Sequence, residues 1–356
     1  MVSRIDEARI RSAWLGRVSG CQLGKPLEAL TVLRGPGAPR EYLREAGALP
    51  LRDYVPAVPG SIVEALSARC CRGRMTRAEP DDDLNYTVLS LLVLEERGAD
   101  FTTEDVARAW FRHLPAGATF TAEREALARL ATRAPEHFGF GEAAGFDVTE
   151  CASHTYGEWI GAQIRTDLFG WVRPGRPRLA AEMARRDAAL SHRGDGIEAA
   201  AFVAALAAAI PEAATFDAAA GAALETITPR SGAAAAVALG RSLAGDTDAP
   251  DKIAARYPDH PWAHACNNLA LVVWGLLSGE SDFARAVGDT VAAGFDTDCN
   301  GATVGGLWGL SGRPVPQRFT DPWQGRVAVT LAGIGELHVD DLVTRTCAVA
   351  RRLAAA

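Results

Sequence analysis

The stretch GFDTDCNGATVGGLWGL, residues 294–310, combines two aspartates with three glycines that recur every fourth residue. In a helix, Gly301, Gly305 and Gly309 would share one face, and each costs about 1 kcal/mol relative to alanine. A bare face of this kind is expected where the backbone approaches another helix or a ligand closely. A helix-packing face with an aspartate cap explains this stretch alone as well as a functional site does.

A second acidic cluster lies in the other half of the chain, in PDDDLNYT at residues 80–87. Capping and dipole effects stabilise a helix by about 0.3–1 kcal/mol for each such acid, which accounts for one or two aspartates but not three in succession. If both clusters met, each pair of like charges would cost about 4 kcal/mol at about 4 Å and an effective dielectric of about 20. Hard divalent cations bind oxygen ligands and relieve such repulsion. Convergence of the clusters would therefore indicate a site for Mg²⁺ or Mn²⁺.

Helical periodicity recurs throughout the chain, and segments of alternating β-type pattern are hard to find. The pattern predicts an all-α orthogonal bundle, and a single domain over residues 1–356 because the acidic clusters come from both halves. Loops are expected at 31–60, 133–157 and 170–177, the first as a mobile lid. Helices are expected at 5–19, 84–97, 104–114, 121–132, 178–190, 197–209, 217–226, 232–243, 262–277, 282–293, 301–310 and 339–354.

Composition narrows the class of protein. The 356 residues are 48% hydrophobic and carry a net charge of −7 with scattered basic residues, so a nucleic-acid-binding surface is not expected. Seven irregularly placed cysteines indicate a reducing compartment without a disulfide framework or structural zinc. The longest apolar run, 197–210, contains Glu198 and is too short and alanine-rich to span a membrane. We expect a cytoplasmic protein with no membrane partner.

Three further segments carry residues suited to a ligand. GCQLGKPLE at 20–28 offers Glu28, although a helix C-cap followed by a solvated glutamate explains it better on its own. GAQIRTDLFGW at 161–171 suits a phosphate-bearing, base-stacking ligand, and equally a helix end with a structural salt bridge. SHRGDG at 191–196 precedes an alanine-rich helix whose N–H groups can hold phosphate; an N-cap with His192 on the surface is equally plausible.

Taken together, these five segments resemble the ADP-ribosylglycohydrolase family, which includes the dinitrogenase-reductase-activating glycohydrolases and the J1 crystallins. The order and spacing match from about residue 8 to 310. GCQLGKPLE is similar to the family's G-D-x-x-G-x-P-x-E, DDDLNYT to T-D-D-T, and GAQIR to G-x-x-M-R. SHRGDG is similar to its T/S-H segment, and DTDCNGATVGG to D-T-D-T/S-x-G-A-x-x-G.

The resemblance implies an all-α fold with two Mg²⁺ ions, or Mn²⁺, in a central cleft, and hydrolysis at C1″ of the distal ribose of ADP-ribose. The partner would be ADP-ribose or a substrate carrying it on a protein, nucleobase or small molecule, with the acceptor and the oligomeric state left open. By position, the metal ligands are Asp81, Asp82, Asp83, Asp296 and Asp298, and the general acid or base is Asp298, Asp83 or Glu28. Contacts to the diphosphate and distal ribose are expected from Gly161, Arg165, Phe169, Gly170, Ser191, His192 and Gly194.

The sequence departs from the family pattern at four positions. Asp81 and Leu84 stand where the family has threonine, Cys299 where it has threonine or serine, and Cys21 where it has aspartate. A thiol is a poor Mg²⁺ ligand, and the extra carboxylate of Asp81 can compensate for it. These departures keep two alternatives open. One is an ADP-ribose-binding or crystallin-like protein with little or no turnover. The other is a two-metal hydrolase acting on a phosphoester or pyrophosphate.

Overall fold

A computed structural model describes residues 5–355. Over that range the chain forms seventeen α-helices and one antiparallel pair of short strands, so the prediction of an all-α fold is confirmed. The helices are α1 (Glu7–Arg34), α2 (Ala38–Glu45), α3 (Ile62–Ser67), α4 (Asp82–Arg97), α5 (Thr103–His113), α6 (Thr121–Arg133), α7 (Asp167–Trp171), α8 (Pro177–Ala188), α9 (Gly194–Ala209), α10 (Phe216–Leu224), α11 (Gly232–Ser242), α12 (Ala249–Arg256), α13 (Ala265–Ser278), α14 (Phe283–Ala292), α15 (Thr297–Gly309), α16 (Gln317–Thr320) and α17 (Val339–Ala355). The strands are β1 (Arg326–Ala328) and β2 (Glu336–His338).

The glycines of α15 pack directly on α1. A Cβ atom built on Gly305 would lie 2.1 Å from the carbonyl oxygen of Gly16, and one built on Gly20 would lie 2.0 Å from that of Gly301. Such separations leave no room for any side chain, so the two backbones touch over successive turns. The close approach predicted from the glycine spacing is therefore made to another helix, and we call this contact the glycine seam.

The prediction that α1 ends near residue 19 is wrong, because the helix continues to Arg34 with Pro26 inside it. Helices often end at a glycine, which is why an end was predicted here. Gly20 and Gly24 are instead contact points for α15, since a Cβ on Gly24 would lie 2.2 Å from the carbonyl oxygen of Thr297. Packing on α15 outweighs the roughly 3 kcal/mol that an internal proline costs. Glu28 is consequently held on a helix rather than on a turn.

Both ends of the chain contribute to one apolar core, which runs from Ile10 on α1 to Leu353 on α17. The indole Nε1 of Trp14 donates a hydrogen bond of 3.0 Å to Thr346 Oγ1, which links α1 to α17. The segment Gly194–Glu212 is long and apolar enough to cross a membrane by composition alone, but 72% of its most apolar window is buried inside the fold. It forms α9 and the turn after it, and Ala199–Ala209 is buried throughout. This helix belongs to the core.

Candidate active site

The two acidic clusters meet. A carboxylate oxygen of Asp83, one of Asp298 and the sulfur of Cys299 all lie within 4.8 Å of one another. The cluster at the start of α4 and the cluster at the start of α15 therefore share one pocket, although they come from opposite halves of the sequence. Two further groups satisfy the same distance limit: Asp81, Asp82 and Asp83, and Glu28, Asp296 and Asp298.

The turn before α15 aims its aspartates into this pocket. Phe295 is 5% exposed and has a φ of +59°, a left-handed conformation that costs a bulky residue about 1–2 kcal/mol. Asp296 occupies the N-cap position of α15, yet its side chain makes no capping bond within the described helix. Its backbone N–H instead donates to Asn268 Oδ1 at 3.2 Å. A helix cap therefore does not explain the carboxylate of Asp296.

Asp81 differs from the other aspartates because both of its oxygens have protein partners. Oδ1 accepts the backbone N–H of Asp83 at 3.0 Å, as an N-cap does, and Oδ2 accepts from Lys25 Nζ at 2.6 Å. Burial pushes the pKa of Asp81 upward, but the charge and hydrogen bond of Lys25 bring it below its ordinary value. The capping explanation thus holds for Asp81, which is also held as the carboxylate.

The other acids of the pocket lack such compensation. Burial, followed by the charge of neighbouring carboxylates, raises the pKa values of Asp82, Asp83 and Asp296 well above the ordinary range. The same causes raise the pKa of Asp298 to about 6. The pKa of Glu28 is also raised well above its ordinary value, with the charge of Asp298 as the larger cause and burial as the second. Within residues 5–355 the pocket thus holds more carboxylate than its protein cations neutralise.

Two carboxylate oxygens of the pocket find no hydrogen-bond partner among residues 5–355: Oδ2 of Asp83 and Oδ1 of Asp296. Asp83 is 0% exposed and Asp296 is 3% exposed, so water does not reach these oxygens freely. A buried acceptor without a partner costs about 1–3 kcal/mol. Unpartnered carboxylate oxygens on both sides of one pocket are the donors that hard divalent cations prefer, so the residues present fit Mg²⁺ or Mn²⁺.

Arg165 lies beside this pocket, but its guanidinium is fully engaged by the protein. Nε donates to the carboxylate of Asp187, and Nη2 donates to the carbonyl of Asp187 and to Ser191 Oγ. Nη1 donates to Glu123 at 2.7 Å and to the Gly161 carbonyl. The residue is 0% exposed. Contrary to the prediction that Arg165 binds phosphate directly, the structure leaves its guanidinium no free donor. The role of Arg165 in this structure is to hold three segments together. Gly161 permits this, because a Cβ there would lie 2.2 Å from Glu123 Oε1.

Phe169 and Gly170 do not face the pocket, and their assignment as ligand contacts is wrong. Phe169 is 0% exposed and stacks on Phe101 with ring centroids 5.5 Å apart. Gly170 packs on α9, where a Cβ atom would lie 2.4 Å from the carbonyl oxygen of Ala204. Aromatic and small residues next to a loop were consistent with a base-stacking site, but here the same residues close the core beneath α9.

The segment Ser191–Gly194 connects this network to the start of α9. His192 is 0% exposed rather than on the surface, and its Nδ1 lies 2.8 Å from Ser191 Oγ. Burial, then the charge of Arg165, lowers the pKa of His192 well below its ordinary value. Gly194 is exposed, and next to it the N–H of Asp195 donates to Glu158 Oε1 at 3.2 Å. A protein carboxylate thus already lies at the N-terminus of α9, where a phosphate was expected.

Several charged residues of the site were missed in the sequence. Arg17 is 0% exposed and donates to Asp167 at 2.9 Å and to Asp83 at 3.4 Å, so it ties α1 to the first acidic cluster. The sequence did indicate that Arg17 is buried, because it falls three residues after Trp14 and one before Val18, on the apolar face of a helix. Glu123 had no such signal, since an acid in the first turn of α6 is an ordinary feature of helices.

Comparison with known proteins identifies the family of the chain. The family model described as ADP-ribosylglycohydrolase matches residues 3–349. No curated protein matches the chain. A solved structure described as "ADP-ribosylglycohydrolase-related protein complex" is similar in fold, with a TM-score of 0.62, 19% sequence identity and coverage of 98% of each chain. Because the family model covers nearly the whole sequence, the chain belongs to the ADP-ribosylglycohydrolase family.

Proposed function

We propose that this protein is a metal-dependent hydrolase that cleaves the glycosidic bond at C1″ of ADP-ribose attached to a protein, nucleobase or small molecule. Membership of the family supports a glycohydrolase role. The observation that carries the proposal is the meeting of Asp83 and Asp298 within 4.8 Å in a buried pocket. We further propose that residues 1–356 act as one domain and that the enzyme works in the cytoplasm.

In this proposal the pocket holds two divalent cations, Mg²⁺ or Mn²⁺. Their ligands would be Asp81, Asp82, Asp83, Asp296 and Asp298. When bound, the ions supply Lewis-acid polarisation of the ribose hydroxyls and a water of lowered pKa. Lys25 keeps Asp81 ionised and in place through its 2.6 Å contact. Arg17 orients Asp83 by donating to its Oδ1, and it leaves Asp83 Oδ2 without a protein partner among residues 5–355.

Proton transfer is assigned to Asp298, Asp83 or Glu28. A general base must reach its proton within hydrogen-bond distance or through one water. Asp83 and Asp298 are fully buried, whereas Glu28 is half-buried. Glu28 is therefore the member of the three that can exchange a proton with solvent. As oxocarbenium character develops at C1″, these carboxylates would also stabilise the positive charge.

The Arg165 network supports the substrate side of the pocket in this proposal. Arg165 acts as a positioning residue, because it joins the segments of Gly161, Glu123 and Ser191. The distal ribose would then contact Gly161 and Gly194, the predicted contact residues of these segments that are not buried. His192, kept neutral by burial, adds no charge of its own there.

The test measures release of free ADP-ribose by purified protein supplied with Mg²⁺ or Mn²⁺. A panel of substrates linked through arginine, serine, a nucleobase or a small molecule identifies the acceptor. The double variant Asp82→Asn/Asp298→Asn should lose turnover and keep a cooperative unfolding transition. Asp251→Asn is the matched control, since that side chain is 80% exposed, and it should behave as wild type. Equal turnover by the double variant and the wild type refutes the proposal.

Product identity separates the alternatives. Intact ADP-ribose means glycosidic cleavage, whereas AMP with ribose phosphate means phosphoryl chemistry. Tight ADP-ribose binding by calorimetry, with no product from any substrate over many hours, means a binding protein. The last outcome would fit the departures at Asp81 and Cys299.

A further inference from the structure

We propose that Cys299 is itself a metal ligand of this pocket and that its thiolate makes one of the two metal positions prefer a thiophilic divalent ion, such as Co²⁺ or Zn²⁺, over Mg²⁺. The inference rests on the proposed function for the existence of the metal pair. It adds the identity of a ligand and the chemical class of ion that the ligand selects.

Cys299 lies where a ligand would have to lie. It is the third residue of α15, and its sulfur is within 4.8 Å of a carboxylate oxygen of Asp83 and of one of Asp298. Its backbone N–H donates to Asp298 Oδ1 at 3.1 Å, which fixes the two residues relative to each other. The sulfur therefore joins carboxylates from both α4 and α15 at a single point.

Cys299 belongs to the buried apolar core and also borders the acidic pocket. A cysteine used as a small hydrophobe is expected among apolar side chains. The sulfur of Cys299 also lies within 4.8 Å of carboxylate oxygens of Asp83 and Asp298, which a packing role does not require. The residue is 6% exposed, so water does not provide the polar partner. A bound cation reconciles a buried sulfur with the neighbouring buried carboxylates of Asp83 and Asp298, because it neutralises them and accepts the sulfur as a donor.

The unpartnered oxygens give independent support. Asp83 Oδ2 and Asp296 Oδ1 lack any hydrogen-bond partner in the range 5–355, and both residues are more than nine-tenths buried. The protein thus leaves an oxygen donor unsatisfied on Asp83, which shares a group with the sulfur, and on Asp296, which shares a group with Asp298. Each of them gains a partner if a metal ion sits between them.

The donor set is asymmetric, which separates the two metal positions. Asp81, Asp82 and Asp83 form a group with oxygen donors only, whereas Asp83, Asp298 and Cys299 form a group that includes sulfur. Oxygen-only sites suit Mg²⁺ and Mn²⁺, and thiolates select softer ions such as Zn²⁺. When the metal–sulfur bond forms, the S–H bond breaks and its proton passes to solvent. The first group keeps a hard ion, and the second prefers a thiophilic one.

The test uses the full-length protein, freed of metal and titrated with Co²⁺. Sulfur bound to Co²⁺ gives a near-ultraviolet charge-transfer absorption, which oxygen ligands do not give. We expect this absorption in wild type and its loss in Cys299→Ser. Cys347→Ser is the matched control, because Cys347 is also buried but lies on α17, and it should keep the absorption.

Competition calorimetry supplies the second readout. Loss of residues that only orient a metal ligand commonly costs ten- to a hundredfold in affinity, so loss of a ligand should cost at least as much. The ratio of Co²⁺ to Mg²⁺ affinity should fall roughly tenfold or more in Cys299→Ser and stay constant in Cys347→Ser.

Three outcomes would overturn this inference alone: Co²⁺ binding without the charge-transfer absorption, an absorption that survives Cys299→Ser, or an unchanged affinity ratio. Each of them leaves the proposed hydrolase intact if ADP-ribose is still released. The reverse result, a sulfur–cobalt absorption in a protein that releases no ADP-ribose, keeps Cys299 as a ligand and removes the proposed reaction. Absence of any metal binding removes both.

Discussion

Replacement of Gly305 by alanine tests the glycine seam directly. The new Cβ would lie 2.1 Å from the carbonyl oxygen of Gly16 and 2.7 Å from its carbon, and both are backbone atoms that no rotamer change can move aside. Ordinary contact begins near 3.4 Å, so α1 and α15 must part by 3.4 − 2.1, or about 1.3 Å. Overpacking of this kind costs up to about 3 kcal/mol, and alanine returns about 1 kcal/mol of helix propensity. We therefore expect a net loss of about 2 kcal/mol.

The assay is urea unfolding of purified wild type, Gly305→Ala and the control Gly221→Ala. Gly221 lies inside α10, and a Cβ atom there meets no atom within 4 Å. The control should gain up to about 1 kcal/mol from helix propensity alone. Because α15 also carries Asp296 and Asp298, Gly305→Ala should weaken Mn²⁺ binding measured by calorimetry, while Gly221→Ala should leave it unchanged.

The reasoning is refuted if Gly305→Ala matches Gly221→Ala in both sign and size. Equal stability would mean that the helices separate without cost. Loss of stability with unaltered Mn²⁺ affinity would mean that the seam supports the fold but does not set the spacing of the carboxylates.

Two further predictions concern buried charges. Arg17→Met leaves Asp167 and Asp83 without their buried partner and should lower the free energy of unfolding in urea by about 3–5 kcal/mol. The control Arg11→Met loses a surface pair with Asp340 and should lower it by less than about 1 kcal/mol. Similar losses in the two variants would contradict the assigned network. His192 has a pKa far below its ordinary value, so below about pH 6.5 the unfolded chain binds a proton that the folded chain does not. Stability therefore decreases as the pH is lowered. The difference in free energy of unfolding between wild type and His192→Asn should shrink by about 1.4 kcal/mol per pH unit below pH 6.5. A difference that stays constant between pH 7 and 5.5 would rule this out.

Much of the architecture was predictable because helical periodicity and the acidic starts of helices are local signals. The segment 84–97 lies in α4 (Asp82–Arg97), and the segment 339–354 corresponds to α17. The glycine spacing in 301–309 correctly indicated a close approach. It did not reveal the partner, because two of the partner's glycines, Gly20 and Gly24, looked like the end of a helix.

The site was predictable in outline and not in its connections. Three aspartates in succession exceed what a cap needs, so the first cluster was recognised from its own residues. Arg165 and Phe169 looked like ligand-binding residues, yet their surroundings come from Asp187, Glu123 and Phe101, far away in sequence. A residue's type says what it can contact, and only tertiary structure decides whether a protein group has already taken that contact.

The glycine seam has a consequence for redesign of this scaffold. The distance between α1, which carries Glu28, and α15, which carries Asp298, is set by main-chain atoms in direct contact. Under the proposed function, loops that face the substrate can thus be varied in a library without altering the spacing of the carboxylates, provided that the residues of the seam are kept fixed. New acceptor specificities should accordingly be sought outside these two helices and outside the buried network of Arg165.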